Sequence, residues 1–193
     1  MAGLGKQAKT LTRAQIEMVS SYLRSKRNGL RNQTIFLLSA RAGLRAKEIS
    51  NLTWDMVCTP TGEIDDNIHL TNQASKGNSG RIIPLHPSIQ SNLNQLIKDK
   101  KRSPYLVVTE RSVKANAQTI VNMFRDWYQK TGLIGCSSHS GRRTFITTAA
   151  QKISIVGGSL RDVQLLAGHS NLQTTQRYIE CNSEAQRSVI NLL

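Results

Sequence analysis

Residues 168–180 read GHSNLQTTQRYIE, and this stretch admits two interpretations. Gly168 and His169 mark a bend in the chain, and the polar run after them has the composition of a short helix. Such a helix, with its basic Arg177, could simply lie in a groove of DNA. Alternatively, Tyr178 could be a reactive group, with His169 placed nine residues earlier to serve it. The rest of the sequence decides between the two.

The composition predicts one basic domain that binds a polyanion. The 193 residues are enough for one domain with a core and too few for two full domains. The chain carries 26 Lys and Arg residues against 12 Asp and Glu residues, a net charge of +14. This excess favours a nucleic acid, since each neutralised phosphate releases counterions. Charge alone does not choose between DNA and RNA, and a basic protein with no such partner stays open.

The cysteines and the apolar segments exclude several other classes of protein. Cys58, Cys136 and Cys181 are odd in number and form no C-x-x-C pair, so neither a zinc site nor a disulfide framework is supported. A reducing cytoplasm fits this cysteine usage. The first residues have no apolar signal region, and no run of 18 apolar residues exists. Secretion and a membrane span are therefore not expected.

The periodicity predicts a mainly helical α+β domain. Thr12 and Gln15 form a capping-box pattern ahead of an apolar-periodic helix, and Gly43 is a stop signal for a second helix over 32–41. Three short runs predict a small three-stranded antiparallel sheet, at 54–58, 67–71 and 81–85. Further helices are expected at 46–52, 87–99, 116–131, 140–152, 160–167, 171–179 and 184–192.

The domain organisation expected from these elements is simple. Residues 1–10 form a loose basic arm, and residues 11–193 are expected to form one domain. No internal repeat or low-complexity linker divides the chain.

Six polar residues lie where the chain bends: Arg45, Lys76, His139, Arg142, His169 and Tyr178. Singly, each has an ordinary structural interpretation, such as a surface arginine, a solvated turn lysine, a helix cap or a core tyrosine. Together, their chemical types are those that phosphoryl transfer to a hydroxyl group requires. Arginine forks bind phosphate oxygens, and histidines move protons near neutral pH. A lysine can protonate a leaving alkoxide, and a tyrosine hydroxyl can hold a covalent phosphoester, so no metal is required.

The order and the local contexts of these residues resemble the catalytic set of the tyrosine recombinases, the phage integrase family. AGLRAKEISNLTW (42–54) resembles the box of the first arginine, and ASKGNSGRIIPL (74–85) resembles the lysine-bearing hairpin. SHSGRRTFIT (138–147) and LLAGHSNLQTTQRYIE (165–180) resemble the second and third boxes, so the resemblance runs from about residue 10 to about 190.

Two local departures from the family pattern stand out. Gly141 occupies a position where the family usually has Leu, and QKISIVGGSL (151–160) looks a few residues longer than usual. Because the flanking helices match the expected pattern, both are expected to be local changes. A larger departure concerns the N-terminal side, where many members of the family carry a separate helical domain. The resemblance implies a short, single-domain member in which residues 11–193 are the catalytic domain, without a separate N-terminal domain.

The resemblance implies a site-specific recombinase or integrase that integrates, excises or inverts a mobile DNA segment without a cofactor. It implies that Tyr178 attacks the scissile phosphate and forms a 3′-phosphotyrosyl link. Lys76 is then the general acid for the 5′ oxygen, His139 the base or proton relay, and Glu48 a supporting carboxylate. The residues expected to hold the non-bridging oxygens are Arg45, Arg142 and His169.

The same resemblance implies double-stranded DNA as the partner and a tetramer assembled on paired DNA sites. It leaves room for accessory DNA-bending proteins and implies a bacterial-type, nucleoid-associated location. Two other classes stay open, a DNA-binding regulator that keeps the fold without the reaction and a type IB topoisomerase. The complete catalytic set speaks against the regulator, and the His-x-x-Arg box and short length speak against the topoisomerase.

Overall fold

The computed structural model describes residues 8–75, 77, 79–98, 103–110, 112–179 and 190–191. Within these ranges the chain is mainly helical with a small antiparallel sheet, which confirms the predicted fold class. The helices are α1 (Arg13–Arg24), α2 (Gly29–Ala42), α3 (Ala46–Asn51), α4 (Pro87–Leu96), α5 (Ala117–Lys130), α6 (Ser140–Lys152), α7 (Leu160–Ala167) and α8 (Leu172–Gln176). The strands are β1 (Asn67–Leu70) and β2 (Arg81–Pro84).

The capping box predicted at the start of α1 is present. The Thr12 hydroxyl accepts a hydrogen bond from the Gln15 amide at 3.2 Å, and the Gln15 side chain accepts one from the Thr12 amide at 2.9 Å. These two bonds satisfy donors that a helix start otherwise leaves unpaired. The apolar face of α1 is then buried against α2, which is itself buried along most of its length.

Two apolar clusters of unequal size form the interior. In the larger one, the ring of Phe36 on α2 lies 6.4 Å from the rings of Phe124 and Tyr128 on α5. The smaller one joins α6 and α7 through Ile146, Val163 and Ala167, and Tyr178 packs against its edge. The smaller cluster therefore fixes the position of the third sequence box relative to the second.

The described sheet has two strands, where three were predicted. β1 and β2 pair antiparallel with Ile68 opposite Ile83. The predicted first strand, 54–58, is instead a 3-10 helix over Trp54–Met56 followed by an isolated bridge from Cys58 to Ile64. Trp54 and Val57 are both buried, and this i, i+3 spacing fits a helical turn rather than the alternation of a strand.

The longer connection after the second box adds one local turn. Residues Ile153–Val156 form a 3-10 helix that ends at Gly157, whose φ of +77° suits glycine. Ser159 and Asp162 then cap α7 reciprocally. Ile155 and Val156 are exposed, so these residues project outward and lie outside the buried contact of α6 with α7.

Gly141 lies where α6 crosses α2, and a side chain at this position would meet α2. A Cβ atom at Gly141 would lie 2.7 Å from the hydroxyl oxygen of Ser39 and 3.2 Å from the amide nitrogen of Ala40. We expect Gly141→Ala to lower the free energy of unfolding, because overpacking costs about 1–3 kcal/mol. That cost exceeds the roughly 1 kcal/mol by which Ala is favoured over Gly inside a helix. Urea denaturation measures the difference.

The double variant Ser39→Ala/Gly141→Ala provides the control, because it removes the closest clashing atom. It should recover part of the lost stability. A Gly141→Ala protein as stable as the original chain would show that α2 and α6 separate without cost.

Several predicted features lie outside the described residues. They include Lys76, residues 1–7 of the basic arm, and most of the predicted tail helix, 184–192. No helix among those that the structure describes is both long enough and apolar enough to cross a membrane.

Candidate active site

Five of the six predicted catalytic residues line one pocket of about 470 Å³. They are Arg45, His139, Arg142, His169 and Tyr178. Arg143 and Arg177 line the same pocket, whereas none of the described acidic residues does. The pocket is therefore built to receive an anion.

Arg45 enters the pocket from the start of α3. Gly43 ends α2 in the left-handed conformation, with φ at +68°, and this turns the chain into α3. The Arg45 amide donates to Glu48 at 2.9 Å, and its guanidinium donates to the other oxygen of the same carboxylate at 2.7 Å. Glu48 thus holds both the backbone and the side chain of Arg45.

Glu48 is fully buried and is shared between two arginines. Its second partner is Arg81 on β2, which donates to each carboxylate oxygen at 3.1 Å. Burial alone would raise the pKa of Glu48, but the hydrogen bond and charge of Arg81, together with Arg45, lower this pKa below its usual value. Glu48 therefore remains ionised at neutral pH.

Arg142 is held by backbone carbonyls from the two other boxes. Its guanidinium donates to the Gly43 carbonyl at the end of α2 and to the Ala167 carbonyl at the end of α7, the latter at 2.6 Å. Burial, and next the charge of Arg45, lower the pKa of Arg142 to about 9, which leaves it charged at neutral pH. The side chain is thus fixed before any ligand arrives.

His169 follows Gly168, the left-handed C-cap of α7. Its Nε2 lies 3.1 Å from an Arg142 nitrogen, and its Nδ1 lies 3.0 Å from the hydroxyl of Thr175. A guanidinium only donates hydrogen bonds, so Nε2 accepts and Nδ1 carries the proton toward Thr175. Burial, and next the charge of Arg142, lower the pKa of His169 to about 4. The imidazole is therefore neutral at pH 7.

Tyr178 lies beside His169, in the turn after α8. The rings are stacked with centroids 5.6 Å apart and an angle of 24° between their planes. The Tyr178 amide donates to the Thr175 carbonyl at 3.0 Å, which anchors the turn. The helix predicted over 171–179 ends earlier, at Gln176, but the predicted proximity of Tyr178 to His169 is observed.

His139 occupies the N-cap position of α6. Its amide donates to the hydroxyl of Ser137 at 3.3 Å, and its imidazole is exposed to solvent. It lines the same pocket, so a proton-relay role for His139 is sterically accessible.

Sequence analysis missed the contribution of Arg81, although a signal for it existed. Residues alternate along a strand, so Arg81 and Ile83 share one face of β2, and Ile83 is buried. A charged residue on the inward face of a strand needs a buried partner. Glu48 is that partner.

The tautomer and the low pKa of His169 can be tested directly. We expect the imidazole signal that disappears in His169→Gln to show protonation at Nδ1 at pH 7 in nitrogen-15 NMR spectra. It should titrate near pH 4, because the folded environment disfavours the charged ring.

The lowered pKa of His169 also makes the stability of the folded protein depend on pH. The folded pKa lies below the ordinary value of about 6.5, so the unfolded chain binds the proton more readily. His169 therefore contributes full stability above about pH 6.5, and this contribution is lost as the pH falls toward 4. His169→Gln should show a smaller loss of stability over this range. A His169 signal that titrates at the ordinary value would contradict both expectations.

Arg45, Arg142, neutral His169 and Tyr178 line one pocket, an arrangement that suits an anionic ligand such as a phosphate. The chain belongs to the phage integrase family, whose family model matches residues 9–185. Apart from Lys76, which lies outside the described residues, the residues predicted to be catalytic are those that line this pocket.

Individual relatives agree with this membership. The chain is 29% identical over 186 residues to tyrosine recombinase XerA of Pyrococcus horikoshii, a match that covers 94% of this chain and 60% of that protein. It is 28% identical over 172 residues to the TnP I resolvase of Bacillus thuringiensis, covering 86% of this chain and 55% of that protein. The chain therefore spans about 60% of the length of the first of these curated relatives.

Solved structures share the fold. The Tn1549 transposon integrase, in complex with a circular intermediate DNA, superposes with a TM-score of 0.78 at 20% identity and covers 100% of this chain and 68% of that one. The crystal structure of XerA recombinase superposes with a TM-score of 0.73 at 24% identity and covers 95% of this chain and 64% of that one.

Proposed function

We propose that this chain is a site-specific DNA recombinase that cleaves and rejoins DNA through a 3′-phosphotyrosyl intermediate. The observation that carries the proposal is the stacking of Tyr178 on neutral His169, within the pocket that Arg45 and Arg142 line. The names of the relatives, a recombinase and a resolvase, agree with this activity.

The proposed ligand of the pocket is a DNA phosphate. Arginines from three different segments line the pocket, and the chain carries a net charge of +14. Preorganised cations stabilise the charge that develops on phosphate oxygens during transfer. The Tn1549 integrase, which has the same fold, is seen bound to DNA.

The proposed step is an in-line displacement at phosphorus. The Tyr178 oxygen forms a bond to phosphorus, the bond from phosphorus to the 5′ oxygen breaks, and the DNA is left with a 3′-phosphotyrosyl end. The phenol proton passes to a base or relay, for which His139, exposed in the same pocket, is the candidate. Lys76 is the proposed acid that protonates the departing 5′ oxygen. Arg45 and Arg142 bind the non-bridging oxygens throughout.

Rejoining reverses these bonds. A 5′-hydroxyl from a partner strand attacks the phosphotyrosyl phosphorus and releases Tyr178, so the bond energy is conserved and no nucleotide cofactor enters. We propose that strand exchange takes place in a tetramer on paired sites, with accessory DNA-bending proteins as an additional requirement at some sites.

A suicide substrate tests the activity. Duplex DNA from the region flanking the gene is given a nick close to each candidate cleavage position, so that a short 5′-hydroxyl fragment diffuses away after cleavage. The covalent complex is then trapped and is detected by denaturing electrophoresis. A 3′-linked adduct is the expected result.

The other outcomes identify the two alternative functions. Specific binding without an adduct would indicate a DNA-binding regulator. Relaxation of a supercoiled plasmid that lacks any recombination site would indicate a type IB topoisomerase.

A further inference from the structure

Arg81 joins three parts of the candidate site through a single buried side chain. Its Nε donates to the Leu166 carbonyl on α7 at 2.8 Å, and its two terminal nitrogens donate to the two oxygens of Glu48 at 3.1 Å each. One of these nitrogens also donates to the Ser79 carbonyl at 3.2 Å, in the connection that leads into β2. Only 6% of the side chain is exposed.

We infer that Arg81 is a positioning residue, which holds Arg45 through Glu48 and holds the Gly168 turn that presents His169. The inference rests on the proposed cleavage activity and adds to it a residue that does not line the described pocket. Arg81 acts on the reaction through Arg45 and His169, and it does not itself contact the phosphate.

The first argument concerns how Arg81 and Arg45 share the two oxygens of the Glu48 carboxylate. Arg81 occupies both oxygens side by side, which leaves Arg45 with one guanidinium contact, at 2.7 Å. Without Arg81, the buried carboxylate would lose one of its two cationic partners, which is strongly unfavourable. Arg45 would then be drawn onto both oxygens, away from an incoming phosphate. The planar guanidinium of an arginine can bind both carboxylate oxygens of Glu48 at once, whereas a lysine presents a single point charge.

The second argument concerns the turn before His169. A Cβ atom at Gly168 would lie 2.8 Å from an Arg81 terminal nitrogen, so the turn packs directly on the guanidinium. The bond to the Leu166 carbonyl secures the last turn of α7 from the same side. Arg81 therefore supports the backbone on both sides of the point where His169 leaves the helix.

The experiment compares Arg81→Met and Arg81→Lys in the full chain. Cleavage of the suicide substrate is measured in single turnovers at saturating DNA, and DNA affinity and thermal unfolding are measured separately. We expect Arg81→Met to cleave about 10²-fold more slowly, because a displacement of about 1 Å in a reacting geometry has a cost of this order. Affinity should change by less than about threefold, since phosphate contacts elsewhere dominate binding. Arg81→Lys should fall between Arg81→Met and the original chain.

The matched control is Arg125→Met, which removes the same charge from an exposed position on α5. It should cleave at the original rate. The nitrogen-15 signals of His169 provide a second measurement, which a role in stability alone would not change. They should shift in both Arg81 variants and remain unchanged in the control.

Two results would overturn the positioning role of Arg81. Folded Arg81 variants that cleave at the original rate and leave the His169 signals unchanged overturn the inference. A loss of affinity with an unchanged rate at saturating DNA also overturns it, because that result identifies a binding residue. If Arg81→Met fails to fold, Arg81→Lys decides by the same criteria. If the original chain forms no adduct, the proposed function fails, while the His169 signals still test the positioning role.

Discussion

Tyr178→Phe is expected to leave DNA binding intact and to abolish the covalent adduct. The change removes one oxygen and keeps the aromatic ring, so the stacking on His169 is preserved. Removing the nucleophile of a covalent enzyme can lower the rate by about 10⁶-fold. The adduct should therefore fall below detection in the suicide-substrate assay, while a gel-shift titration gives an unchanged affinity.

Tyr105→Phe is the matched control for this result. Tyr105 is partly buried outside the pocket, with the ammonium of Lys114 lying 4.4 Å from its ring centre. It should form the adduct at the original rate. Tyr128 is a poorer control, because it is packed in the core and burial raises the pKa of its hydroxyl. An adduct that survives in Tyr178→Phe, or that maps to another tyrosine, would contradict the assignment.

The helices and the pocket residues were predictable because the sequence encodes them locally. The Thr12 capping box, the Gly43 stop and the spacing from Gly168 to Tyr178 are each short-range patterns with a direct structural meaning. The family resemblance then supplied what local patterns lack, namely that the boxes around Arg45 and Arg142 meet in space.

Features that depend on contacts between distant residues were harder to predict. The run at 54–58 has the composition of a strand, but Trp54 and Val57 are both buried in the core three residues apart, and the Val57 amide donates to the Trp54 carbonyl at 3.0 Å, which closes a helical turn. Arg81 was overlooked for a related reason. Its partners, Glu48 and the Leu166 carbonyl, are 33 and 85 residues away in sequence, so no local window contains the network.

The fixed position of Arg142 bears on whether this residue contributes mainly to DNA affinity or to the rate of cleavage. An exposed arginine binds phosphate mainly through charge and must be ordered on binding, whereas Arg142 is already fixed by two carbonyls. Preorganised donors cost no reorganisation when charge develops in the transition state. Arg142 should therefore contribute more to the rate of cleavage than to the affinity for DNA.

Arg142→Ala is accordingly expected to slow cleavage by about 10²–10³-fold, the usual cost of removing one preorganised donor. DNA affinity should fall much less, because one phosphate contact among many is lost and the salt dependence of binding flattens only slightly. Single-turnover cleavage at saturating DNA gives the first quantity, and binding titrations at several salt concentrations give the second.

Arg142→Lys and Arg177→Ala separate the possible causes of this effect. Arg142 is only 4% exposed, so its truncation also leaves two buried carbonyls without a donor, and thermal unfolding must confirm that the variant is folded. Arg142→Lys keeps the charge but cannot reach both carbonyls and a phosphate together, so it should remain slow. Arg177 is exposed in the same pocket, and Arg177→Ala should lower the affinity by a small factor and leave the cleavage rate at saturating DNA unchanged. If Arg142→Ala behaves in the same way as Arg177→Ala, Arg142 anchors DNA and does not stabilise the transition state.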